Sequence, residues 1–310
     1  MTFNRDAVLN ALHQRYAALN AAMEYDCNRF DKHGLCLSFQ ARATGWGNQS
    51  SDAGVLNAAY RVTDKVRAGV YLDYQAAQAT PLASNTLTGG VKWNHDNPTF
   101  GAYIGWSDSP DGTGVQARVS GGYSSGELTI TRGALNLTEP GSGAAGLNGF
   151  YAYGLAGYGV PVGHGIVVTP YGGLRFTDVT RDAYSENFNP SATIYPISYD
   201  AYYEQLITGL SGVKIQAMLG ERLGCQAGLG GEFDFSRNAS GYNGSSQIPG
   251  MAAWAIAHGG TWNGVRPAGS AGVFYNFSEK DRLSLNGYMG EQAWTSRSYE
   301  TLLAEYRMAF

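Results

Sequence analysis

The chain has 310 residues, enough for two globular domains by length alone, yet within the range of one large β-barrel. Its 21 basic and 25 acidic residues leave a net charge of -4, so no basic surface is available to neutralise a nucleic-acid backbone, and nucleic acid is not expected as a partner. Charged residues make up only 15% of the chain while aromatics reach 13% and glycine occupies 43 positions, a balance that suits a sheet with one face in lipid.

Residues 6–24 contain neither Gly nor Pro and are rich in Ala, which favours helix. Leu9, Leu12, Tyr16, Leu19 and Met23 recur at spacings of three and four, with Asn10, His13, Gln14 and Asn20 off that stripe, which predicts one isolated helix. Cys27 and Cys36 follow closely around the expected start of the first strand, and Cys36 would point inward. Both a short Cys27–Cys36 disulfide and two free thiols are open readings, and Cys225 stands alone.

From Leu35 onward the apolar period changes from 3.6 to two. Segments 35–46, 54–63, 66–75, 84–95, 99–107, 114–123, 127–133, 147–160, 166–180, 204–219, 225–236, 264–277, 281–293 and 299–310 read as fourteen strands, the 127–133 segment being the weakest; a hairpin excursion at 114–133 would make it twelve. Alternation is plain in 66–75, where Val66, Ala68, Val70, Leu72 and Tyr74 oppose Arg67, Tyr71, Asp73 and Gln75, and in the last segment, where Leu302, Ala304, Tyr306, Met308 and Phe310 share one face. Tight turns are expected at 63–65, 96–98, 162–164 and 278–280, and long loops at 76–84, 134–146, 181–203 and 237–262. Alternation of short turns with long loops, together with aromatics near strand ends (Trp46, Trp93, Trp106, Tyr123, Tyr158, Phe277, Phe310), favours a membrane barrel over a soluble sandwich.

The predicted fold is therefore all-β, a transmembrane antiparallel β-barrel of 12–14 strands with an N-terminal α-helix in or near the lumen. Residues 1–34 form helix and linker, and residues 35–310 the barrel. The faces opposite the apolar ones place Arg42, Arg67, Asp73, Arg118, Arg175, Lys214, Glu232, Asp234, Glu305 and Arg307 on the pore wall. Leu9, Leu12, Arg15, Tyr16, Leu19 and Asn20 are the candidate plug residues, with Arg5 and Arg15 available to an acidic wall. An outer-membrane protein needs an export signal and none is visible, so Met1 is expected to mark a fragment boundary.

Three patterns suggest chemistry. Gly122–Gly126 fits G-x-S-x-G, but the following ELTITR reads as strand where a nucleophile elbow needs a helix. Gly141–Gly146 fits G-x-G-x-x-G without the strand-to-helix context of a dinucleotide site, and is read as a flexible loop. His13, His33, His95, His164 and His258 show no paired metal-ligand spacing, so no metal is expected. Neither an enzyme nor a cofactor is predicted, and an outer-membrane hydrolase would need a Ser–His cluster that the sequence does not display.

With the helix, the strand 167–186 (VVTPYGGLRFTDVTRDAYSE), the GLSGVKIQA strand at 209–217 and the alternating C-terminal segment ending in Phe310 in view, the chain resembles the translocator domain of an autotransporter, the type V secretion system. The strand 167–186 is similar to that family's Pro-Tyr/Phe-Ala-Gly-Leu strand. Membership implies outer-membrane lipid as surroundings, a passenger polypeptide attached before residue 1, recognition of Leu302, Ala304, Tyr306, Met308 and Phe310 by the barrel-assembly machinery, and a monomer. It also implies twelve strands where the pattern counts fourteen, and few cysteines. One subset of the family cuts its own helix at an Asn with luminal carboxylates; Asn10, Asn20, Glu232 and Asp234 are of the right types, without a matched motif. A porin-like diffusion or uptake channel is the competing expectation.

Overall fold

A computed structural model describes residues 2–46, 49–75, 82–85, 89–94, 97–134, 139–247, 253–295 and 297–309. It contains α1 (Thr2–Ala22), β1 (Leu35–Trp46), β2 (Gln49–Arg61), β3 (Val66–Gln75), β4 (Leu82–Asn85), β5 (Gly89–Trp93), β6 (Asn97–Ser107), β7 (Gly114–Arg132), β8 (Gly141–Gly163) and β9 (Ile166–Arg181). After these come β10 (Tyr184–Ser185), β11 (Ile197–Tyr199), β12 (Tyr202–Met218), β13 (Leu223–Ala239), β14 (Tyr242–Ser246), β15 (Ala253–Ile256), β16 (Val265–Asn276), β17 (Arg282–Glu291) and β18 (Ser298–Ala309). No helix among the described residues is long and apolar enough to cross a membrane.

Twelve strands close on themselves in the order β1, β2, β3, β6, β7, β8, β9, β12, β13, β16, β17, β18, every neighbour antiparallel. The first and last strands join in register from Cys36↔Ala309 to Trp46↔Tyr299, so the barrel has no open edge. The side-chain period of two then sends alternate residues to two different solvents. Val70, Leu229, Phe235, Leu302 and Tyr306 face outward and exposed, while Tyr71, Asp73, Glu232 and Glu305 face inward and buried.

Two of the fourteen expected strands are not barrel staves. Residues 114–132 form a single strand, because β8 pairs with it without interruption from Gly114↔Gly159 to Arg132↔Gly141; Ser-Ser-Gly at 124–126, turn-like in sequence, is held extended by that partner. The segment 84–95 is not a spanning strand either. Its described part comprises the end of β4 and β5, which pair with each other, and β5 pairs with Leu128–Thr131 of β7 above the level where β6 ends. Asn97 and Pro98 accordingly begin β6 rather than form a short turn, and Gly141–Gly146, expected as a flexible loop, opens β8. Trp46 and Trp93, expected in the outer aromatic belt, are buried inside; Trp106, Tyr123, Tyr158 and Phe277 are exposed. Phe310 and His95 lie outside the described residues.

One rim carries short turns, among them Gly163-His164-Gly165, where all three residues have positive φ and only small or turn-adapted side chains fit. The other rim carries long loops. Two of them, expected to be irregular, fold into a four-stranded sheet of order β10-β11-β14-β15, stacked on an aromatic cluster: Tyr184 and Tyr199 lie face to face at 4.7 Å, and Tyr242 and Trp254 pack beside them. Arg181, at the top of β9, stacks on Tyr184 and Tyr242, and Arg132 pairs with Glu186 at 2.8 Å, so the loop sheet is tied to the staves beneath it.

Inside the barrel, tyrosines lie across glycines of neighbouring strands. Tyr71 covers the positions where Gly101 and Gly122 lack a Cβ, and Tyr103 covers Gly69. A side chain at Gly122 would meet the Tyr71 hydroxyl, the Tyr151 ring and the Phe100 carbonyl. Gly122→Val is therefore expected to destabilise the barrel by about 1–3 kcal/mol through overpacking, whereas Gly154→Ala, with nothing within 4 Å of its Cβ, leaves stability unchanged; urea unfolding in detergent micelles, followed by the gel mobility of folded and unfolded forms, separates the two.

Candidate functional site

Helix α1 runs down the lumen. Its N-terminal end lies at the long-loop rim, where Arg5 donates to the Ala257 carbonyl at 3.3 Å and pairs with Asp6 of its own helix, not with the barrel wall as the sequence suggested. Residues 11–20 are buried on every side, which an isolated helix achieves only when something surrounds it. The apolar stripe Leu9, Leu12, Tyr16 and Leu19 is buried, and so are the polar residues off it, His13, Gln14, Arg15 and Asn20.

The buried polar groups are met by the wall. The Trp93 indole donates to Gln14 at 3.0 Å, which is why this tryptophan faces inward. Arg15 donates to the Ser124 hydroxyl and to the Leu147 carbonyl, and its guanidinium stacks on Trp93 at 5.0 Å. Ser124, centre of the G-x-S-x-G match, is thus a helix contact inside a continuous strand. Arg175 donates to the Tyr16 hydroxyl at 2.9 Å. His13 Nε2 and His258 Nε2 both approach one oxygen of Glu204, at 3.2 and 3.0 Å, joining helix, β12 and a rim loop; no spacing in the sequence announces this grouping.

Below Ala22 the helix tightens through backbone bonds from Met23, Glu24 and Tyr25 to Asn20, Ala21 and Ala22, then gives way to an extended linker. The linker makes the ion pairs with the wall. The Tyr25 hydroxyl donates to Asp73 at 2.6 Å, Asp26 pairs with Arg67 at 2.7 Å, Glu24 faces Lys214 at 3.6 Å, Asn28 accepts from Arg307, and the Tyr25 carbonyl accepts from Arg118. Cys27 is bonded to Cys36 at the start of β1, with Cα atoms 5.8 Å apart, and the Cys27 amide donates to the Tyr103 hydroxyl at 2.9 Å. Cys225 is a free thiol.

Of the ten charged positions expected on the wall, Arg67, Arg118 and Lys214 meet the linker, and the others are arranged in sets. Arg42 pairs with Asp73 at 3.0 Å; Arg175 and Arg266 both reach Glu232, at 2.6 and 3.0 Å; Arg266 also holds Asp234; and Arg307 pairs with Glu305 at 2.7 Å. Arg266 and Glu204 were missed, although both fall on the inward alternation of their strands. Tyr103 and Tyr151 were missed because a tyrosine serves either face of such a sheet, whereas Tyr71 was already placed opposite the apolar face of its strand. Both candidate carboxylates for self-cleavage are engaged by guanidiniums, and neither Asn10 nor Asn20 is hydrogen-bonded to them among the described residues. The Asn20 amide instead borders a cavity of about 120 Å³ lined by Glu24, Arg175, Glu232 and Tyr299, large enough for a few waters.

A closed twelve-stranded barrel, lipid-facing outside, polar inside and filled by its own N-terminal helix, defines an outer-membrane transport barrel with an occupied lumen. The family model for the autotransporter β-domain matches residues 40–250, more than half of the chain, and the chain belongs to that family. It is accordingly a translocator barrel of the Gram-negative outer membrane.

Solved structures share the architecture. The translocator domain of autotransporter NalP from Neisseria meningitidis is 16% identical, with a TM-score of 0.67 over 98% of this chain and 97% of that one. The β-domain of the Bordetella autotransporter BrkA is 13% identical, with a TM-score of 0.56 over 90% and 100%. The transport unit of AIDA-I from Escherichia coli is 10% identical, with a TM-score of 0.56 over 99% of both. No curated protein matches the chain.

Asp73 accepts from both Arg42 and Tyr25, and Arg42 is buried. Asp73→Asn leaves that guanidinium uncompensated and is expected to cost about 3–5 kcal/mol of stability; adding Arg42→Gln should recover part of the loss, giving a coupling energy in a double-mutant cycle of urea midpoints.

Proposed function

We propose that the barrel anchors a passenger polypeptide attached before residue 1 and assists its export, with residues 1–34 as the pore plug and residues 35–310 as the transmembrane unit. The observation that carries this reading is the direction of α1: its N-terminal end sits at the long-loop rim, beside Ala257, while its C-terminal end leads to the short-turn rim. A chain that continues upstream of α1 would leave the barrel on the long-loop side, which in outer-membrane barrels is the cell exterior. The helix is then the last segment threaded through the pore.

In this reading the charges of the inner wall have two uses. During passage they present both signs and many hydrogen-bonding groups to an extended polypeptide. Afterwards the same groups hold the plug and linker, through Arg175 to Tyr16, Asp73 to Tyr25 and Arg67 to Asp26. No catalytic step is required of the barrel. Leu302, Ala304, Tyr306, Met308 and Phe310 serve as the assembly signal, and the first four of these present an outward face for recognition during insertion. The protein works as a monomer. The porin-like reading is disfavoured because a diffusion channel needs an open path where α1 stands.

Single-channel conductance in a planar bilayer tests the plug. The intact chain is expected to conduct weakly, and a variant lacking residues 1–26 to conduct much more. A large, steady conductance in both would overturn the plug and put the open channel ahead.

A further inference from the structure

At the short-turn rim the lumen opens into a polar cavity of about 290 Å³, walled by the lower ends of β3, β6, β7, β8, β9, β12, β13, β16, β17 and β18 and roofed by the linker. Beside the β16–β17 turn three guanidiniums gather, from Arg29 of the linker, Arg282 at the start of β17 and Arg307 in β18. Arg307 has a carboxylate, Glu305, which is also shared with Gln40 at 3.1 Å and Ser284 at 3.3 Å.

The other two guanidiniums have neutral partners only. Arg29 donates to the carbonyls of Ser278 and Glu279 at 3.0 and 2.9 Å and to the side-chain oxygen of Asn276 at 2.7 Å. Arg282 donates through Nε to the same Asn276 oxygen at 2.9 Å, and its guanidinium lies 4.1 Å from the Phe274 ring centroid. Among the described residues its two terminal nitrogens make no hydrogen bond. The nearby Asp281 carboxylate is taken up by the hydroxyls of Ser278 and Tyr306, at 2.9 and 3.3 Å.

Two part-buried cations sharing one neutral oxygen repel each other, and among the described residues neither forms an ion pair with a carboxylate that would offset its desolvation. Burial, and after it the charge of Arg307, lowers the pKa of Arg29 from its ordinary value, and the more distant Asp281 and Glu279 carboxylates only partly oppose this. Such an arrangement is stable when an anion from outside completes it. Guanidinium forks match anions that present two oxygens better than they match a halide.

We propose that Arg29, Arg282 and Asn276, with Arg307 behind them, form an oxyanion site at the periplasmic mouth that takes a phosphate or a carboxylate group. Because Arg29 belongs to the linker and Arg282 to the wall, the bound anion ties the two together below the disulfide. Its occupancy makes the hold on the linker depend on periplasmic solutes.

The test titrates inorganic phosphate and acetate separately into the folded chain in detergent micelles, by calorimetry, with chloride keeping the ionic strength constant. Saturable binding of at least one of them is expected, weakened about tenfold in Arg282→Gln and in Arg29→Gln, and unchanged in Arg297→Gln at the opposite rim. Phosphate binding alone assigns a phosphate-bearing ligand, and acetate binding alone a carboxylate-bearing one. Arg29 lies outside the sheet, so its variant keeps the test meaningful if Arg282→Gln loses the folded gel band. No saturable binding of either anion, or wild-type binding in Arg29→Gln, overturns the site.

Discussion

In hydrocarbon no water is present to satisfy a backbone N–H or C=O, and an unpaired group costs several kcal/mol. That constraint governs the rest of the molecule. A sheet escapes it only by closing, and closing requires the first and last strands to meet, as β1 and β18 do along eleven paired positions. Once closed, the sheet has one face in lipid and one turned inward, and the period of two assigns each residue to one of them. The two departures from the expected strand count obey the same rule. The upper half of β7 rises above the level of its neighbour β6, and the edge it would otherwise expose is covered by β5.

The inward face then has a problem of its own. A twelve-stranded wall encloses more space than its side chains fill, and many of those side chains are charged. Here the volume is occupied by α1 and the charges are answered in sets, with Glu232 between Arg175 and Arg266, and Asp73 between Arg42 and Tyr25. Helix and linker divide the work. The helix is narrow and Ala-rich, so it fits between inward tyrosines and contributes mainly burial and hydrogen bonds, whereas the extended linker reaches the ionic groups and is fixed by Cys27–Cys36. Leu12, Tyr16 and Leu19 of the helix pack in one buried cluster with Val91, Leu128, Ile130 and Leu147 of the wall, and the polar contacts surround that cluster.

Relatives of 10–16% identity keep the same barrel. The physical basis is that membrane staves need only an apolar residue at every second position, the outward one, and small residues where tyrosines cross. Many sequences satisfy this, so family likeness survives in architecture after most residues have changed. The loop sheet with its tyrosine cluster and the arginine group at the opposite rim lie outside that requirement, and there the chain is free to acquire properties of its own.

The sequence by itself determined the fold class, the facing of the staves and the existence of a separate N-terminal helix, because each depends on a local period: two for Val66–Gln75 and Ser298–Ala309, and near 3.6 for Leu9, Leu12, Tyr16 and Leu19. It also put ten charged residues on the strand faces opposite the apolar ones. What it left undecided depends on partners distant in the chain. Ser-Ser-Gly at 124–126 is turn or strand according to whether β8 lies beside it, Trp93 is belt or lumen according to whether Gln14 and Arg15 reach it, and the 181–203 and 237–262 loops are irregular until they meet and form one sheet. The grouping of His13, Glu204 and His258, and the shared oxygen of Asn276 between Arg29 and Arg282, were decided only by the closed barrel. Closure brings His13 to Glu204, 191 positions away, and Arg29 to Asn276, 247 positions away, and no local pattern records such a meeting.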